Sequence, residues 1–199
     1  GSGLLPAVPL FLDSPLAAAA VEVYKKYPRY FDEAAKYLLG QGDDFFKFPG
    51  LRITASAQES KKINEVPAPK IILAGSGMMN GGRIQHHLSR YLSDKKNLLL
   101  IISYQASGTL GRRLLEGAKE VKIYGEKVKV RARVKAIGSY SAHADQEKLV
   151  SWVAAAKRQP KKIFLVHGEP ESMSSLASHF KTALGLEAVA PRLNETVEF

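Results

Sequence analysis

One histidine of the sequence follows an apolar run directly, in a position suited to binding a metal. His167 directly follows residues 163–166 and precedes Gly168 and Glu169. Gly168 allows the backbone to turn, so the imidazole is expected to project from the end of a strand. A neutral imidazole in that place is a suitable zinc ligand, and Glu169 can orient its second nitrogen. The alternative, which an isolated His-Gly pair would favour, is a histidine that simply ends a strand.

A second histidine lies in a turn of small residues. His143 is flanked by Ser141, Ala142 and Ala144, and Asp145 follows at the predicted start of a helix. A carboxylate is favoured at that position and can also orient the imidazole. A histidine held in this way can donate a proton to a leaving oxygen or contact a phosphate. The alternative is a helix-capping aspartate beside an incidental histidine.

Both turns lie at predicted strand–helix junctions, which favours a functional interpretation over either alternative alone. The pattern indicates a metal-dependent site that acts on a phosphate, with His143, Asp145 and Glu169 as candidate catalytic residues and His167 as candidate metal ligand. Two histidines cannot form an ordinary closed zinc site, so the remaining ligands are expected outside this chain. The sequence has no Gly-x-Ser-x-Gly elbow, which disfavours serine hydrolysis.

Two glycine-rich segments are candidates for binding substrate. Residues 75–82 precede Arg83, and residues 107–111 precede Arg112 and Arg113. Backbone N–H groups of such loops can surround a phosphate, and the arginines add positive charge. The candidate substrate-binding residues are Ser76, Gly77, Gly81, Gly82, Arg83, Gly108, Thr109 and Arg112. Neither segment has the lysine of a P-loop or the spacing of a dinucleotide fingerprint, and a structural tight turn is the alternative for both.

The charge of the chain points to a polyanionic partner. A formal net charge of +10 over 199 residues favours nucleic acid, although a solvated surface that keeps the protein soluble is an equal alternative. No apolar run is long enough to cross a bilayer, and no basic amphipathic helix has large apolar anchors, so no membrane partner is expected. The absence of cysteine excludes disulfides and thiolate metal sites, and fits a reducing, cytoplasmic location.

The elements that must position these residues alternate between strand and helix. Apolar runs predict strands at 8–12, 51–54, 70–74, 97–102 and 162–166, and a strand pair is predicted at the carboxyl terminus. Spacing and capping residues predict helices at 15–27, 30–39, 83–92, 110–116, 146–156 and 171–184. Ser14 is expected to cap the first of them, and residues 56–59 predict a capping box that opens a further short helix. Residues 121–137 alternate apolar and charged side chains, which is typical of an antiparallel pair, here turning near Gly125. Repeated strand–loop–helix units predict an open, mainly parallel α/β sheet with its ligands at the carboxyl ends of the strands.

Five segments occur in an order that resembles the β-CASP branch of the metallo-β-lactamase superfamily. They are residues 12–17, 76–83, 104–113, 141–145 and 166–169. This branch includes RNA-processing nucleases such as RNase J and the endonuclease subunit of the cleavage-and-polyadenylation machinery. The resemblance covers nearly the whole chain, and five ordered segments make it specific, whereas any one of them would be weak.

The resemblance implies roles for both histidines. His143 matches the family's histidine beside the scissile phosphate, which is its candidate proton donor. His167 matches a histidine ligand of one of two zinc ions in the RNA-processing members, where DNA-processing relatives tend to have valine. The resemblance also implies a β-CASP domain over residues 4–125, incomplete at its start. Residues 126–199 would be the carboxyl-terminal part of a metallo-β-lactamase αββα sandwich.

The sequence departs from the family because it has no His-x-His-x-Asp-His cluster. The resemblance therefore implies an N-terminally truncated portion of a ribonuclease that uses two zinc ions to hydrolyse RNA phosphodiesters. The chain alone is expected to bind RNA without cleaving it. An apolar face left uncovered after residue 126 predicts self-association, giving a homo-oligomer. The alternatives are a noncatalytic RNA-binding or scaffold module of the β-CASP type, and an unrelated α/β phosphate-binding domain that would make the five matches accidental.

Overall fold

The structure, a computed structural model, describes residues 8–42, 44, 46–47, 49–138 and 143–197, which belong to two units. Unit 1 is residues 1–139 and unit 2 is residues 140–199. The predicted boundary after residue 125 concerns family domains rather than compact units, and it stays a prediction.

Unit 1 alternates strands and helices. Its strands are β1 (Leu10–Asp13), β2 (Leu51–Ile53), β3 (Ile71–Ala74), β4 (Leu98–Ile101), β5 (Glu120–Ile123), β6 (Glu126–Lys129) and β7 (Arg133–Ala136). Its α-helices are α1 (Pro15–Lys26), α2 (Glu33–Gly40), α3 (Ala57–Lys62), α4 (Arg83–Tyr91) and α5 (Leu110–Leu115). Short 3-10 turns at Pro28–Tyr30 and Ile63–Glu65 follow α1 and α3.

The first three strands form a parallel sheet in the order β2-β1-β3, and β4 pairs in parallel with β7. The predicted mixed α/β class with parallel pairing is therefore confirmed. The predicted antiparallel pair is also confirmed, because β5 and β6 form a hairpin in which Val121 lies opposite Val128. The alternating pattern continued to residue 137, but its last part leaves the hairpin and forms β7. There the partly buried Val134 packs against the core of unit 1.

Side chains expected to cap helices do so. Ser14 accepts a hydrogen bond from the Ala17 backbone N–H at 3.3 Å, and Pro15 is the first residue of α1. Ser56 and Glu59 form the predicted capping box at α3. Helix α2 begins later than predicted, at Glu33 rather than near residue 30. The chain first makes the 3-10 turn Pro28–Tyr30, and Asp32 then caps the helix.

Unit 2 contains α6 (Gln146–Ala154), β8 (Ile163–Phe164), α7 (Pro170–Leu184) and β9 (Ala188–Val189). Its core is Val150 and Val153 of α6, Leu165 after β8 and Phe180 of α7. The predicted terminal strand pair was wrong in the described part of the unit. After α7 the described residues contain one strand, β9, and it pairs in parallel with β8. Pro191, which has no backbone N–H to donate, follows β9 by two residues and prevents its extension.

Candidate functional site

His167 lies in a sharp turn between β8 and α7. Its φ is 64°, in the left-handed region that a residue with a Cβ enters at a cost of about 1 kcal/mol. Its side chain is exposed. The turn continues tightly, since a Cβ on Gly168 would lie 2.6 Å from Met173 Cγ. Strained backbone of this kind accumulates at functional sites, and here it places an exposed imidazole directly before a helix.

Glu169 is the residue that precedes α7. Its side chain is partly buried and makes no capping hydrogen bond to the helix. The carboxylate therefore does not serve the helix as a cap, which is compatible with its predicted part in orienting a neighbouring group. That part stays a prediction.

His143 is exposed in the bend that leads into α6. Asp145 caps this helix, because its Oδ1 accepts the Lys148 backbone N–H at 2.8 Å. Asp145 therefore caps the helix, as the alternative interpretation expected. Its catalytic assignment remains a prediction. Ser141 and Ala142, the small residues expected beside the imidazole, lie outside the described residues.

The two histidines occupy equivalent places relative to neighbouring helices. His143 lies three residues before Gln146, the first residue of α6, and His167 lies three residues before Pro170, the first residue of α7. The amino-terminal halves of both helices line one hollow of about 470 Å³, formed by Gln146, Leu149, Glu171, Ser172, Ser175 and Leu176. Both histidine turns therefore lie at the same end of one helix pair. The partial positive charge of two helix amino termini favours an anion there.

A zinc ion needs more ligands than these turns provide. No group of three His, Asp or Glu side chains is arranged for a metal within the described ranges, and the sequence has no cysteine. A structural zinc site takes four ligands, and a catalytic site takes three from the protein. His167 can provide one imidazole toward such a set of ligands.

The two glycine-rich loops of unit 1 dock onto each other at the carboxyl ends of β3 and β4. Gln105 Nε2 donates to the Gly77 carbonyl at 2.9 Å, and the Gly111 N–H donates to the Met78 carbonyl at 3.2 Å. A side chain at Gly111 would overlap the buried Gln105 amide. The loops thus form one structure, and their close packing explains part of their glycine content.

The substrate-binding candidates divide between packing and open positions. A Cβ on Gly77 would lie 2.9 Å from Ser103 Oγ, and Gly82 takes a φ of 73° where α4 begins. Nothing lies within 4 Å of a Cβ placed on Gly81 or Gly108, so these two face open space. Ser76 is exposed.

Thr109 and Arg112 are used locally. Buried Thr109 caps α5, accepting the Arg112 N–H at 3.1 Å and donating to the Ala106 carbonyl at 2.7 Å. The Arg112 guanidinium donates to Glu116 at 2.6 Å. Substrate contact by any of these loop residues stays a prediction.

A buried aspartate that sequence reasoning missed organises the same end of the β2-β1-β3 sheet. Asp13 is completely buried at the end of β1. Its Oδ1 accepts from Thr54 Oγ1 and Arg83 Nη1, each at 2.6 Å, and its Oδ2 accepts from Ser60 Oγ and His87 Nε2, each at 2.7 Å. A carboxylate only accepts, so Nε2 of His87 carries the proton in this bond.

These partners decide the ionisation of Asp13. Burial alone raises the pKa of the carboxyl. The hydrogen bonds from the four partners outweigh it and hold the pKa below its ordinary value. Arg83, predicted to bind substrate, is committed to Asp13 and to the carbonyls of Thr54 and Ala55 at 2.8 Å. Its phosphate contact stays a prediction, whereas its structural role is visible.

Two signals in the sequence mark this network. Asp13 is an acidic residue that ends an otherwise apolar strand, where burial without partners would be costly. Arg83 and His87 are four residues apart, which places them on one face of a helix. Neither signal identifies Thr54 or Ser60 as partners.

Comparison with known proteins places the chain in a family. A profile of the Beta-Casp domain matches residues 2–114, more than half of the chain. The chain belongs to the β-CASP family. A second profile, described as the Zn-dependent metallo-hydrolase RNA specificity domain, matches residues 127–191. The β-CASP match contains both glycine-rich loops and the Asp13 network, and the second match contains both histidine turns.

Relatives of this β-CASP chain include proteins named for RNA cleavage and for transcription termination. A ribonuclease of Thermus thermophilus is 40% identical over 86% of this chain and 39% of its own length. Transcription termination factor FttA of Methanosarcina mazei is 32% identical over 98% of this chain and 31% of its own length. FttA of Pyrococcus horikoshii is 32% identical over 96% of this chain and 30% of its own length. The chain thus spans two fifths or less of these relatives. No helix in the described ranges is long and apolar enough to span a membrane.

Proposed function

We propose that this chain is part of a zinc-dependent ribonuclease that hydrolyses RNA phosphodiesters. The observation that carries the proposal is the equivalent placement of His143 and His167. Each lies three residues before a helix, and the amino-terminal halves of the two helices line one hollow. The Thermus thermophilus relative, which is named a ribonuclease, supports RNA cleavage as the chemistry.

The two histidines have separate roles in this proposal. His167 supplies one imidazole ligand to zinc, with Glu169 orienting it, and the other ligands come from residues outside these 199. Zinc in such a site lowers the pKa of a bound water. His143 holds a proton and donates it to the leaving oxygen of the RNA, and the Asp145 cap fixes the backbone that carries it.

RNA is the proposed partner, and unit 1 carries the charge for it. Residues 1–139 contain 22 Lys and Arg against 12 Asp and Glu, whereas residues 140–199 contain seven of each. The whole surplus of +10 therefore belongs to unit 1. Phosphate contacts dominate affinity for nucleic acid, so RNA binding by this chain should weaken with salt. The open glycines Gly81 and Gly108, with Ser76, are the loop positions best suited to approach a phosphate.

Two finer assignments belong to the same proposal. Residues 4–125 are assigned to a β-CASP domain, and residues 126–199 to the carboxyl-terminal part of a metallo-β-lactamase sandwich. The 199-residue chain itself is proposed to bind RNA without cleaving it, because His167 is a single ligand. Zinc-dependent cleavage of labelled RNA by the purified chain would overturn this assignment, and salt-sensitive binding without cleavage supports it.

A noncatalytic RNA-binding module of the β-CASP type is the second candidate. It is favoured by the lack, among the described side chains, of a group that can hold a metal. Metal analysis and RNA cleavage on the longer protein that contains this chain separate the two. Bound zinc together with cleavage that chelation abolishes supports the ribonuclease, and stable RNA binding without either supports the module.

Self-association through an apolar face after residue 126 stays a proposal, and the structure describes another exposed aliphatic surface, on the β2-β1-β3 sheet. Ile53, Ile71 and Leu73 are between 39% and 46% exposed, and the register places Ile53 and Leu73 beside Leu12 on one face. Parallel sheets are normally covered on both faces, which makes such a face a site of association. Light scattering tests it: Leu73→Lys should lower the mean particle mass at high concentration. A wild-type chain that stays monomeric there contradicts it.

A further inference from the structure

The β5–β6 hairpin presents a basic outer surface that the proposed site does not use. Its inward side chains, Val121, Ile123 and Val128, are buried in the core of unit 1 and fix its orientation. Lys122, Lys127 and Lys129 point outward by the register, and with the exposed turn residue Tyr124 they define the hairpin face. Strand β5 and the turn lie between the two family matches, which end at residue 114 and resume at residue 127.

Positive charge is concentrated at this surface. Residues 119–135 contain seven Lys and Arg and two Asp and Glu, so this stretch carries half of the net charge of the chain. Lys122 lies directly opposite Lys127 across the hairpin, an arrangement of like charges that destabilises a strand pair. Lys127 Nζ lies 3.4 Å from Glu120 Oε1, and this ion pair offsets one of the positive charges. A polyanion bound to the hairpin face would remove the remaining repulsion.

Tyr124 occupies a position in the turn that its residue type disfavours. Its φ is 50° and that of Gly125 is 85°, the signature of a two-residue turn in which Asn-Gly is preferred. Tyrosine there costs stability, yet its side chain is 56% exposed and gains little by burial. The ring contacts the His86 ring of α4, with centroids 4.9 Å apart and ring planes tilted by 32°. The result is an exposed aromatic ring that contacts a second ring and lies two residues after Lys122 in the chain.

We propose that the hairpin face is a docking surface for single-stranded RNA, whose phosphates contact the lysines while a base stacks on Tyr124. Single strands offer both backbone charge and open base faces, whereas an acidic peptide offers only charge and a duplex hides its bases. The inference rests on the proposed RNA partner. It adds a contact outside the glycine loops and histidine turns, so that RNA would be held by unit 1 at a second place.

Fluorescence anisotropy with a short labelled oligouridylate tests this with the 199-residue chain. The double variant Lys122→Gln, Lys127→Gln should bind roughly tenfold more weakly and reduce the slope of log affinity against log salt by about 1.4, since each lost contact contributes about 0.7. The matched control Lys157→Gln, Lys161→Gln removes the same charge from exposed residues of unit 2 and should bind like the wild type. Equal affinity and slope in the two double variants overturn the inference.

Variants of Tyr124 separate stacking from folding. Tyr124→Asn should raise the melting temperature, because asparagine accepts the left-handed conformation, and yet weaken binding about fivefold or more. Tyr124→Phe keeps the ring and should bind like the wild type. Unchanged affinity in Tyr124→Asn overturns the inference, as does equal binding of duplex RNA. Competition by polyglutamate as strong as that by oligouridylate would instead indicate an acidic protein partner and also overturn it.

The outcome is distinguishable from failure of the proposed function. If the wild-type chain binds oligouridylate and the hairpin variants bind equally well, the hairpin inference alone fails. If the chain binds no oligouridylate, the hairpin inference fails together with RNA binding by this chain, while zinc-dependent cleavage by the longer protein remains a separate measurement.

Discussion

Oδ2 of Asp13 lies 2.7 Å from Nε2 of His87, joining the end of strand β1 to the middle of helix α4. The same carboxylate holds Arg83 one helical turn earlier. Strand β1 is central in its sheet. This one buried charge therefore connects α4, the helix that follows the first glycine-rich loop, to the carboxyl end of the central strand.

Asp13→Asn should destabilise unit 1. Removing one partner of a buried ion pair leaves the other charge uncompensated, and we expect a loss of about 3 kcal/mol in the free energy of unfolding. Urea unfolding measures it. Glu33→Gln is the control, because it breaks an exposed ion pair with Lys36 at 2.7 Å and should cost less than about 1 kcal/mol. Equal losses in the two variants would contradict the assigned role.

Acid should weaken the wild type more than Asp13→Asn. The pKa of Asp13 is lower in the folded chain than its ordinary value of 3.8, so the carboxylate stabilises the fold fully above that value. This contribution is lost as the pH falls through the folded pKa. Unfolding free energies measured between about pH 5 and pH 2 should fall more steeply in the wild type than in the variant. Parallel curves would show that the pKa of Asp13 is not lowered in the folded chain.

His167→Gly should stabilise unit 2 by about 1 kcal/mol, since glycine enters the left-handed region without the penalty that His167 carries at a φ of 64°. His167→Ala keeps the penalty and serves as the matched control, with stability near that of the wild type. Thermal unfolding gives the comparison. If glycine and alanine have the same effect, the turn is not strained as the structure describes it.

Gly111→Ala should separate the two glycine-rich loops. Its new Cβ would overlap the Gln105 amide, so we expect a loss of about 2 kcal/mol in unfolding free energy. Gly81→Ala is the control, because open space surrounds that position and stability should change little. RNA affinity of Gly81→Ala then reports on the loop itself. A fall in affinity without a fall in stability supports phosphate contact, and unchanged affinity removes Gly81 from the candidates.

Local features were predictable from the sequence, and long-range partners were not. The Ser56–Glu59 capping box and the turn at Gly125 depend on residues close in the chain, and both are present. Residues 133–136 were expected to belong to the same antiparallel pair as the hairpin, but they form β7 and pair with β4. Alternation of apolar and charged residues does not say which strand a segment pairs with. The Asp13 network joins residues up to 74 positions apart, and it depends on the pairing of β1 with β2 and on the position of α4.

The candidate site divides in the same way. The two histidine turns could be found because each follows a predicted strand and precedes a predicted helix. The use of Arg83 in holding Asp13 could not be anticipated, since a guanidinium before a helix is equally suited to a phosphate and to a buried carboxylate. The choice between them depends on Asp13, which lies 70 residues earlier in the chain.

Zinc content and RNA cleavage, measured together on the longer protein that contains this chain, test the central claim most directly. We predict that His167→Ala lowers both the bound zinc and the cleavage rate. His143→Ala should keep the zinc and lower the rate about a hundredfold or more. Wild-type cleavage in both variants, or cleavage that survives removal of zinc by a chelator, would contradict the account.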